Sequence, residues 1–155
     1  MIIIECDPDE FMVKSLKFAK RFIKHEAGKG KVLGVVRKQG KCIGIIDEDP
    51  QTNQPPEMNN YILRDSKKTI KLFMRRNDQS NRIIQISPFL EHWLINRAKH
   101  NKISLRAYNL PDNPKKLHDI PHVERNRNFQ NFLNELISID EEMKTIKKWI
   151  KEAIG

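Results

Sequence analysis

The sequence predicts an α/β fold, with a central, mostly parallel sheet of four or five strands flanked by helices and a helical C-terminal extension. Two short apolar runs carry this prediction, Ile2-Ile3-Ile4 and Cys42-Ile43-Gly44-Ile45-Ile46. Runs of β-branched residues of this length are typical of strands buried on both faces, as in parallel sheets. Helical periodicity lies between the two runs. The order strand, helix, strand implies parallel strands joined by right-handed crossovers.

Length, charge and hydropathy limit the classes of protein to which this chain can belong. At 155 residues the chain fits a single domain, with an α/β core over residues 1–90 and a mainly helical extension over 91–155. Its net charge of +9 points to nucleic acid or another polyanion as a partner, with a merely well-solvated surface as an equal alternative. No apolar stretch approaches ~18 residues and no signal-peptide pattern opens the chain, so we expect no membrane span and a cytoplasmic protein.

The two cysteines agree with that location. Cys6 and Cys42 are the only cysteines, and each falls in a predicted buried strand. Two buried cysteines suit free thiols in a reducing cytosol better than a disulfide scaffold.

A helix is predicted after the first strand, from about residue 8 to 19 or beyond, because Pro8 is tolerated in a first turn and the acidic residues after it favour that end. Residues 21–27 either extend this helix or hold a short strand. The strand is favoured because Gly28-Lys29-Gly30 is typical of a turn that opens a new helix. Gly40 ends that helix, and a strand over residues 42–47 follows.

The second half begins with a predicted loop over residues 50–60, which holds three prolines. Residues 69–75 and 82–86 are predicted strands joined by a turn at 77–80. Ser87-Pro88 then starts a helix, with serine as its N-cap and proline in the first helical position.

The C-terminal extension is predicted to hold a loop and two helices. The loop covers residues 109–121, and one helix lies around residues 129–137. A capping box over residues 138–141, with Ser138 as N-cap, opens the last helix. That helix would bury one face containing Ile139, Met143, Ile146 and Ile150.

Both apolar runs end abruptly in carboxylates. Glu5 follows the first, and Asp47-Glu48-Asp49 closes the second. Ligands bind outside the carboxyl ends of parallel strands, and strand alternation would point Asp47 and Asp49 the same way, with Glu48 opposed. Clustered carboxylates repel one another unless they are protonated or bound to a cation, and hard oxygens suit Mg²⁺ or Mn²⁺. Asp47, Asp49 and Glu5 are therefore candidate metal ligands, and Asp9 can reach the same ion. The alternative is that these acids only cap loops and helix starts.

This arrangement resembles the topoisomerase–primase (Toprim) domain over roughly residues 1–90. The matching pieces are Ile2-Ile3-Ile4-Glu5 and Gly44-Ile45-Ile46-Asp47-Glu48-Asp49. The stretch Ser87-Pro88-Phe89-Leu90-Glu91-His92-Trp93 is also similar to the Pro-x-x-Glu-x-Trp segment of small stand-alone Toprim-like proteins. The resemblance implies that the two aspartates hold a divalent metal and that Glu5 acts as general acid/base or as a further ligand.

The resemblance implies metal-assisted phosphoryl transfer on DNA or RNA, and a nuclease in particular. One departure counts against catalysis, because the family's glutamate is usually followed by a glycine that lets phosphate approach, whereas Cys6 follows here. The alternative is a catalytically inactive Toprim-like module that binds nucleic acid, a partner protein or a second copy of itself. A metal-dependent phosphatase is a more distant third.

Four basic residues are candidates for nucleic-acid binding. Lys29 and Lys31 lie in a glycine-rich turn at a helix start, where backbone amides attract phosphate, and Lys29 is also a candidate catalytic residue. A plain turn is the alternative for this segment. Arg75 and Arg76 end a predicted strand and can contact backbone phosphates, and a solvated strand end is the equal alternative.

His118 and His122 have a spacing found among metal ligands. Pro121 lies between them and breaks the helix that would align their side chains. We therefore do not assign a metal site to this pair.

Overall fold

The protein, described by a computed structural model over residues 1–155, has one six-stranded mixed sheet flanked by helices. The strands are β1 (Ile2–Ile4), β2 (Ile23–His25), β3 (Cys42–Asp47), β4 (Tyr61–Ser66), β5 (Ile70–Arg75) and β6 (Asp78–Ile86). The helices are α1 (Asp7–Ser15), α2 (Lys29–Lys38), α3 (Leu90–His100), α4 (Pro114–His118), α5 (Arg127–Ile139) and α6 (Glu141–Ile154). The α/β prediction is confirmed.

The strand order is β2-β1-β3-β6-β5-β4. The pairs β2–β1, β1–β3 and β3–β6 are parallel, whereas β6–β5 and β5–β4 are antiparallel. The sheet thus has six strands instead of four or five, and its parallel character is confined to one half. The extra strand is β4, for which the sequence pattern predicted no element; it lies at the edge of the sheet, and five of its six residues are exposed.

The sheet separates two hydrophobic cores of unequal size. Helix α2 alone covers one face, where eight buried residues cluster around Ile3, Ile46 and Ile83. The opposite face carries a cluster of thirty buried residues, to which α1, α3, α5 and α6 all contribute. The helices after residue 90 therefore complete the main core and do not stand apart from it. None of the helices combines the length and apolar character needed to cross a membrane.

Gly44 in the middle of β3 lets α2 pack closely on the sheet. A Cβ at this position would lie 2.8 Å from Ile83 Cδ1, 2.8 Å from Val32 Cγ1 and 3.1 Å from Val36 Cγ2. These distances are shorter than ordinary van der Waals contacts, so a side chain here would push the helix from the strand. The close approach fixes the start of α2 against the carboxyl edge of the parallel strands.

Several local predictions need correction. Helix α1 ends at Ser15 instead of reaching residue 19, and Cys6 is its N-cap residue instead of part of a strand. The predicted strand within residues 21–27 is confirmed as β2. Strand β6 begins at Asp78, so the turn before it is shorter than residues 77–80.

The predicted helix starts at Ser87-Pro88 and at Ser138 are wrong. The Ser87–Pro88 peptide is cis, and α3 begins at Leu90 with Phe89 as its N-cap. Helix α5 continues through Ser138, and the N-cap of α6 is Asp140, whose carboxylate accepts a hydrogen bond from the Met143 amide. Ile139 consequently lies outside the buried face of α6 and is 43% exposed.

A buried ionic network joins the C-terminal helices to the sheet. The Arg97 guanidinium lies 2.7 Å from the Asp140 carboxylate, and both side chains are buried. The Glu142 carboxylate accepts hydrogen bonds from Trp93 Nε1 and from the Thr69 amide just before β5. Arg97 also lies 3.4 Å from Glu142, so one arginine serves both carboxylates, and neutral donors supply the remaining hydrogen bonds. The network therefore ties α3, α6 and β5 together with every buried charge paired or hydrogen-bonded.

We expect Gly44→Val to lower the free energy of unfolding by about 1–3 kcal/mol, because the added atoms overpack the contact with α2. Gly34→Ala within α2 is the matched control, since no atom lies within 4 Å of the added Cβ. It should raise the free energy of unfolding by about 0.5–1 kcal/mol through helix propensity. Urea unfolding followed by circular dichroism measures both, and equal effects of the two variants would contradict the proposed packing.

Candidate acidic site at the carboxyl edge of the parallel strands

The site is built on the pairing of β1 with β3. The register places Ile2 beside Ile43 and Ile3 beside Gly44. Extended past the end of β1, this register places Glu5 beside Ile46, one residue before Asp47 at the end of β3. The Oε1 atom of Glu5 is buried and has no hydrogen-bond partner. A buried carboxylate oxygen without a donor is costly, so this atom calls for a proton, a cation or a ligand.

The charges of these two carboxyls interact. Burial first, and then the nearby carboxylates of Asp9, Glu5, Glu91 and Asp49, together raise the pKa of Asp47 to about 8. Burial also raises the pKa of Glu5 to about 7, with a contribution from Asp9, while the Asp47 backbone and the Lys29 ammonium oppose it. Both carboxyls are therefore held partly protonated near neutral pH when no cation is bound.

Asp9 belongs to the same cluster but also serves helix α1. Its Oδ2 atom accepts hydrogen bonds from the Cys6 amide at 3.3 Å and from the Cys6 thiol at 3.2 Å. Burial raises the pKa of Asp9 to about 6 against these hydrogen bonds. Asp9 is thus a capping residue whose negative charge also raises the pKa values of Glu5 and Asp47.

The position after Glu5 accommodates a side chain. Cys6 has an extended backbone with φ of −146° and ψ of 169°, which any L-residue adopts. Its thiol is turned to Asp9, and burial raises the pKa of the thiol well above its usual range. The backbone here does not itself require glycine.

Asp49 is positioned by a left-handed turn after β3, and not by strand alternation as predicted. Strand β3 ends at Asp47, and Asp49 has a left-handed backbone with φ of +51°, so strand alternation does not apply to it. Glu48 turns to the Ser87 hydroxyl, which donates a hydrogen bond to its carboxylate at 2.9 Å. Asp47 and Asp49 nevertheless line the same solvent-open cleft of about 380 Å³.

The other wall of this cleft contains two residues that were not predicted as site residues. Glu91 projects from the first turn of α3, and His118 ends α4. His118 Nδ1 lies 2.9 Å from Glu91 Oε1, whereas His122 pairs separately with Glu124 at 3.4 Å. The Pro-x-x-Glu-x-Trp segment was the one sequence signal for Glu91. Nothing in the sequence pattern indicated that His118 lies across from Asp47.

Lys29 lies beside the acidic cluster, at the start of α2. Its ammonium donates hydrogen bonds to the Glu48 carbonyl at 2.7 Å and to Gln54 Oε1 at 3.2 Å. An ammonium has three donors, so one remains for a ligand. Lys31 is exposed on the first turn of the same helix.

Arg75 and Arg76 lie elsewhere. Strand β5 runs antiparallel to β6, and Ile70 is the end of β5 that lies beside the acidic edge. Arg75 is five residues further along the strand, at the opposite edge of the sheet, roughly 17 Å away. Its guanidinium binds Glu57, and that of Arg76 binds the Asn59 carbonyl. These arginines do not share a surface with the carboxylate cluster.

A second candidate metal site, separate from the carboxylate cluster, consists of Asp7, Glu10 and His25. One ligand atom from each of these residues lies within 4.8 Å of the others. Glu10 in this group is already paired with Lys14 at 2.9 Å. The set of Glu5, Asp47 and Asp49 is more widely spaced, so a shared ion there requires these side chains to close in by rotation.

Comparisons with protein-family models, with curated proteins and with solved structures found no match to this chain. The site combines hard carboxylate oxygens at the ends of two adjacent strands, an ammonium at the helix start beside them, and an imidazole–carboxylate pair across the cleft.

In metal-free buffer, we expect stability to fall as pH rises from 5 to 8.5. Carboxyls in the unfolded chain titrate near pH 4, whereas those of Glu5, Asp9 and Asp47 titrate at about 7, 6 and 8 in the folded protein. Between those values the folded state holds more protons than the unfolded state, so raising the pH favours unfolding. At about 1.4 kcal/mol per pH unit for each carboxyl that is protonated only in the folded state, the loss should reach several kcal/mol.

Asp47→Asn tests the origin of this slope, because asparagine stays neutral and relieves its acidic neighbours. Urea unfolding in EDTA at several pH values should give a clearly flatter profile for this variant. Glu135→Gln on the exposed face of α5 is the control and should keep the wild-type slope. Parallel profiles for wild type and Asp47→Asn would show that the cluster is not the source.

Proposed function

We propose that this chain is a Toprim-like enzyme that cleaves phosphodiester bonds in DNA or RNA with the help of Mg²⁺ or Mn²⁺. The observation that carries the proposal is the position of Glu5 and Asp47 at the ends of two adjacent parallel strands, with Asp49 beside Asp47 in a cleft that Glu5 does not itself line. In parallel sheets this edge is where ligands bind. The Toprim resemblance of the same residues supports this assignment.

The residues present fit a divalent ion. The donors are carboxylate oxygens, which Mg²⁺ and Mn²⁺ prefer, and Oε1 of Glu5 is buried without a partner. A cation would also offset both the burial and the carboxylate repulsion that raise the pKa of Asp47. Asp47 and Asp49 are the proposed ligands, with Glu5 and Asp9 as further donors. When bound, the ion supplies electrostatic stabilisation of charge that develops on the phosphate.

Glu5 is the proposed proton acceptor for the attacking water. A general base must be ionised at the working pH, and a bound cation would oppose the burial that raises the pKa of Glu5 to about 7 in the metal-free protein. Lys29 is the proposed cation for a non-bridging phosphate oxygen, through the ammonium donor that Glu48 and Gln54 leave free.

Lys29 and Lys31 are proposed to contact the nucleic-acid backbone next to the cleft, because both lie at the start of α2. The net charge of +9 supports attraction of a polyanion. Arg75 and Arg76 would contact only a nucleic acid long enough to reach the opposite sheet edge.

The competing proposal is a catalytically inactive module of the same fold that binds nucleic acid or a partner protein. The Cys6 side chain, in a position where Toprim proteins usually carry glycine, favours it. The extended backbone of Cys6 and the turning of its thiol to Asp9 weaken that objection. Cleavage assays separate the two proposals.

We expect Mg²⁺ or Mn²⁺ to raise the melting temperature, because an ion bound only by the folded state stabilises it by mass action. At ten times Kd the gain is about 1.4 kcal/mol, or about 3–5 °C for a chain of this size. Asp47→Asn should abolish the rise in differential scanning fluorimetry. Asp7→Asn should leave it intact; if Asp7→Asn abolishes it instead, the ion lies beside His25 and the assigned site is wrong.

Glu5→Gln should abolish cleavage while it retains binding, because glutamine keeps the size of the side chain but cannot accept the water proton. We expect a loss of about 10²–10⁴ in rate. Gel assays on single- and double-stranded DNA and RNA, with each metal, measure cleavage, and fluorescence anisotropy at low salt measures binding.

Glu135→Gln is the matched control and should cleave as wild type does. Wild-type protein that binds these substrates in a salt-sensitive manner but cleaves none of them would favour the inactive module. Equal cleavage by wild type and Glu5→Gln would remove Glu5 from the chemistry.

A further inference from the structure

We propose that His118 is a second catalytic residue, located in the cleft that Asp47 and Asp49 line, and that its Nε2 donates the proton taken by the leaving oxygen as the phosphodiester bond breaks. Glu91 is the positioning residue that orients the imidazole. This inference rests on the proposed function and adds the group that would complete its proton transfers.

The geometry assigns the two ring nitrogens different tasks. Nδ1 of His118 lies 2.9 Å from Oε1 of Glu91, so it donates its proton to that carboxylate. Nε2 has no partner within the protein, and the side chain is 71% exposed into the open cleft. A carboxylate that holds one nitrogen of an imidazole while the other faces the substrate is a common arrangement in proton-transfer sites.

His118 is presented from an anchored segment. Its neighbour Leu117 is fully buried in the main core, and the Asn113 side chain caps α4 by accepting a hydrogen bond from the Lys116 amide at 3.0 Å. Helix α4 packs on α3, which carries Glu91. The imidazole therefore lies across the cleft from Asp47 and Asp49, on a short helix that the buried Leu117 and the Asn113 cap hold in place.

The charges around His118 favour its protonated form. The hydrogen bond to Glu91 and the charge of Glu91 raise the pKa of His118, and they outweigh burial and the nearby Lys115. The titratable and charged groups that face it are Glu91 of α3, Lys115 and Asp119 at α4, Asp47 and Asp49 across the cleft, and Cys6, Asp7, His122 and Glu124 on its other side.

Water, Glu5, His118 and the phosphodiester account for every bond and proton in the proposed step. The water oxygen forms a bond to phosphorus, and Glu5 takes one of its protons. The bond from phosphorus to the leaving oxygen breaks, and that oxygen keeps the electron pair and takes the Nε2 proton of His118. The products are a phosphate monoester and an alcohol. Exchange with solvent returns the proton to His118 and removes the one on Glu5.

The test compares two substrates that differ in their need for this proton. An oligonucleotide releases an alkoxide, which needs protonation, whereas thymidine 5′-(p-nitrophenyl phosphate) releases a stable phenolate. His118→Gln should lower oligonucleotide cleavage by about 10²–10⁴ and leave hydrolysis of the aryl ester at the wild-type rate. Glu91→Gln should move the alkaline limb of the oligonucleotide pH–rate profile to lower pH. His100→Gln, an exposed histidine at the far end of α3, is the control.

The outcomes separate this inference from the proposed function. If wild type cleaves neither substrate, the proposed function fails and the inference fails with it. If wild type cleaves both and His118→Gln matches it on both, His118 has no catalytic role while the proposed function stands. Equal losses on both substrates would assign His118 to binding or structure and overturn its role as proton donor.

Discussion

The parallel pairing of β1 with β3 is the constraint on which the candidate site depends. It brings Glu5 beside Ile46, one residue before Asp47, although Glu5 and Asp47 are far apart in the chain. Gly44 lets α2 lie close to β3, and Lys29 at the start of that helix reaches the Glu48 carbonyl just beyond the strand. A shift of this register by one residue would turn every strand side chain to the other face and disperse the cluster.

The cluster works against stability, and the rest of the fold compensates for it. Burial disfavours the charged forms of Glu5, Asp9 and Asp47, and their mutual repulsion adds to that cost. The compensation comes from the thirty-residue core on the opposite side of the sheet from α2, which the C-terminal helices largely supply. Sites at which a sequence departs from its most stable arrangement are often functional sites.

The parts of the structure that could be predicted from the sequence are those with a local signal. Strands β1 and β3 and the start of α2 follow from apolar runs and a glycine turn. Strand β4 was missed because it is an exposed edge, and the place of Asp49 depends on a left-handed turn that its residue type did not reveal. His118 could not be placed, since its contact with Glu91 spans 27 residues and depends on how α4 packs.

The two walls of the cleft differ in charge, and this asymmetry limits how a phosphodiester can bind. The strand wall holds Asp47 and Asp49, which repel phosphate unless a cation or protons neutralise them. The facing wall presents Lys115 and His118, with the Glu91 carboxylate paired to His118, and Lys29 at the start of α2 lies beside the acidic cluster. A phosphate between these walls would interact favourably with the α4 side at once, but with the strand side only after a divalent ion is bound. Metal binding and substrate binding at this cleft should therefore be positively coupled, and each should increase the affinity for the other.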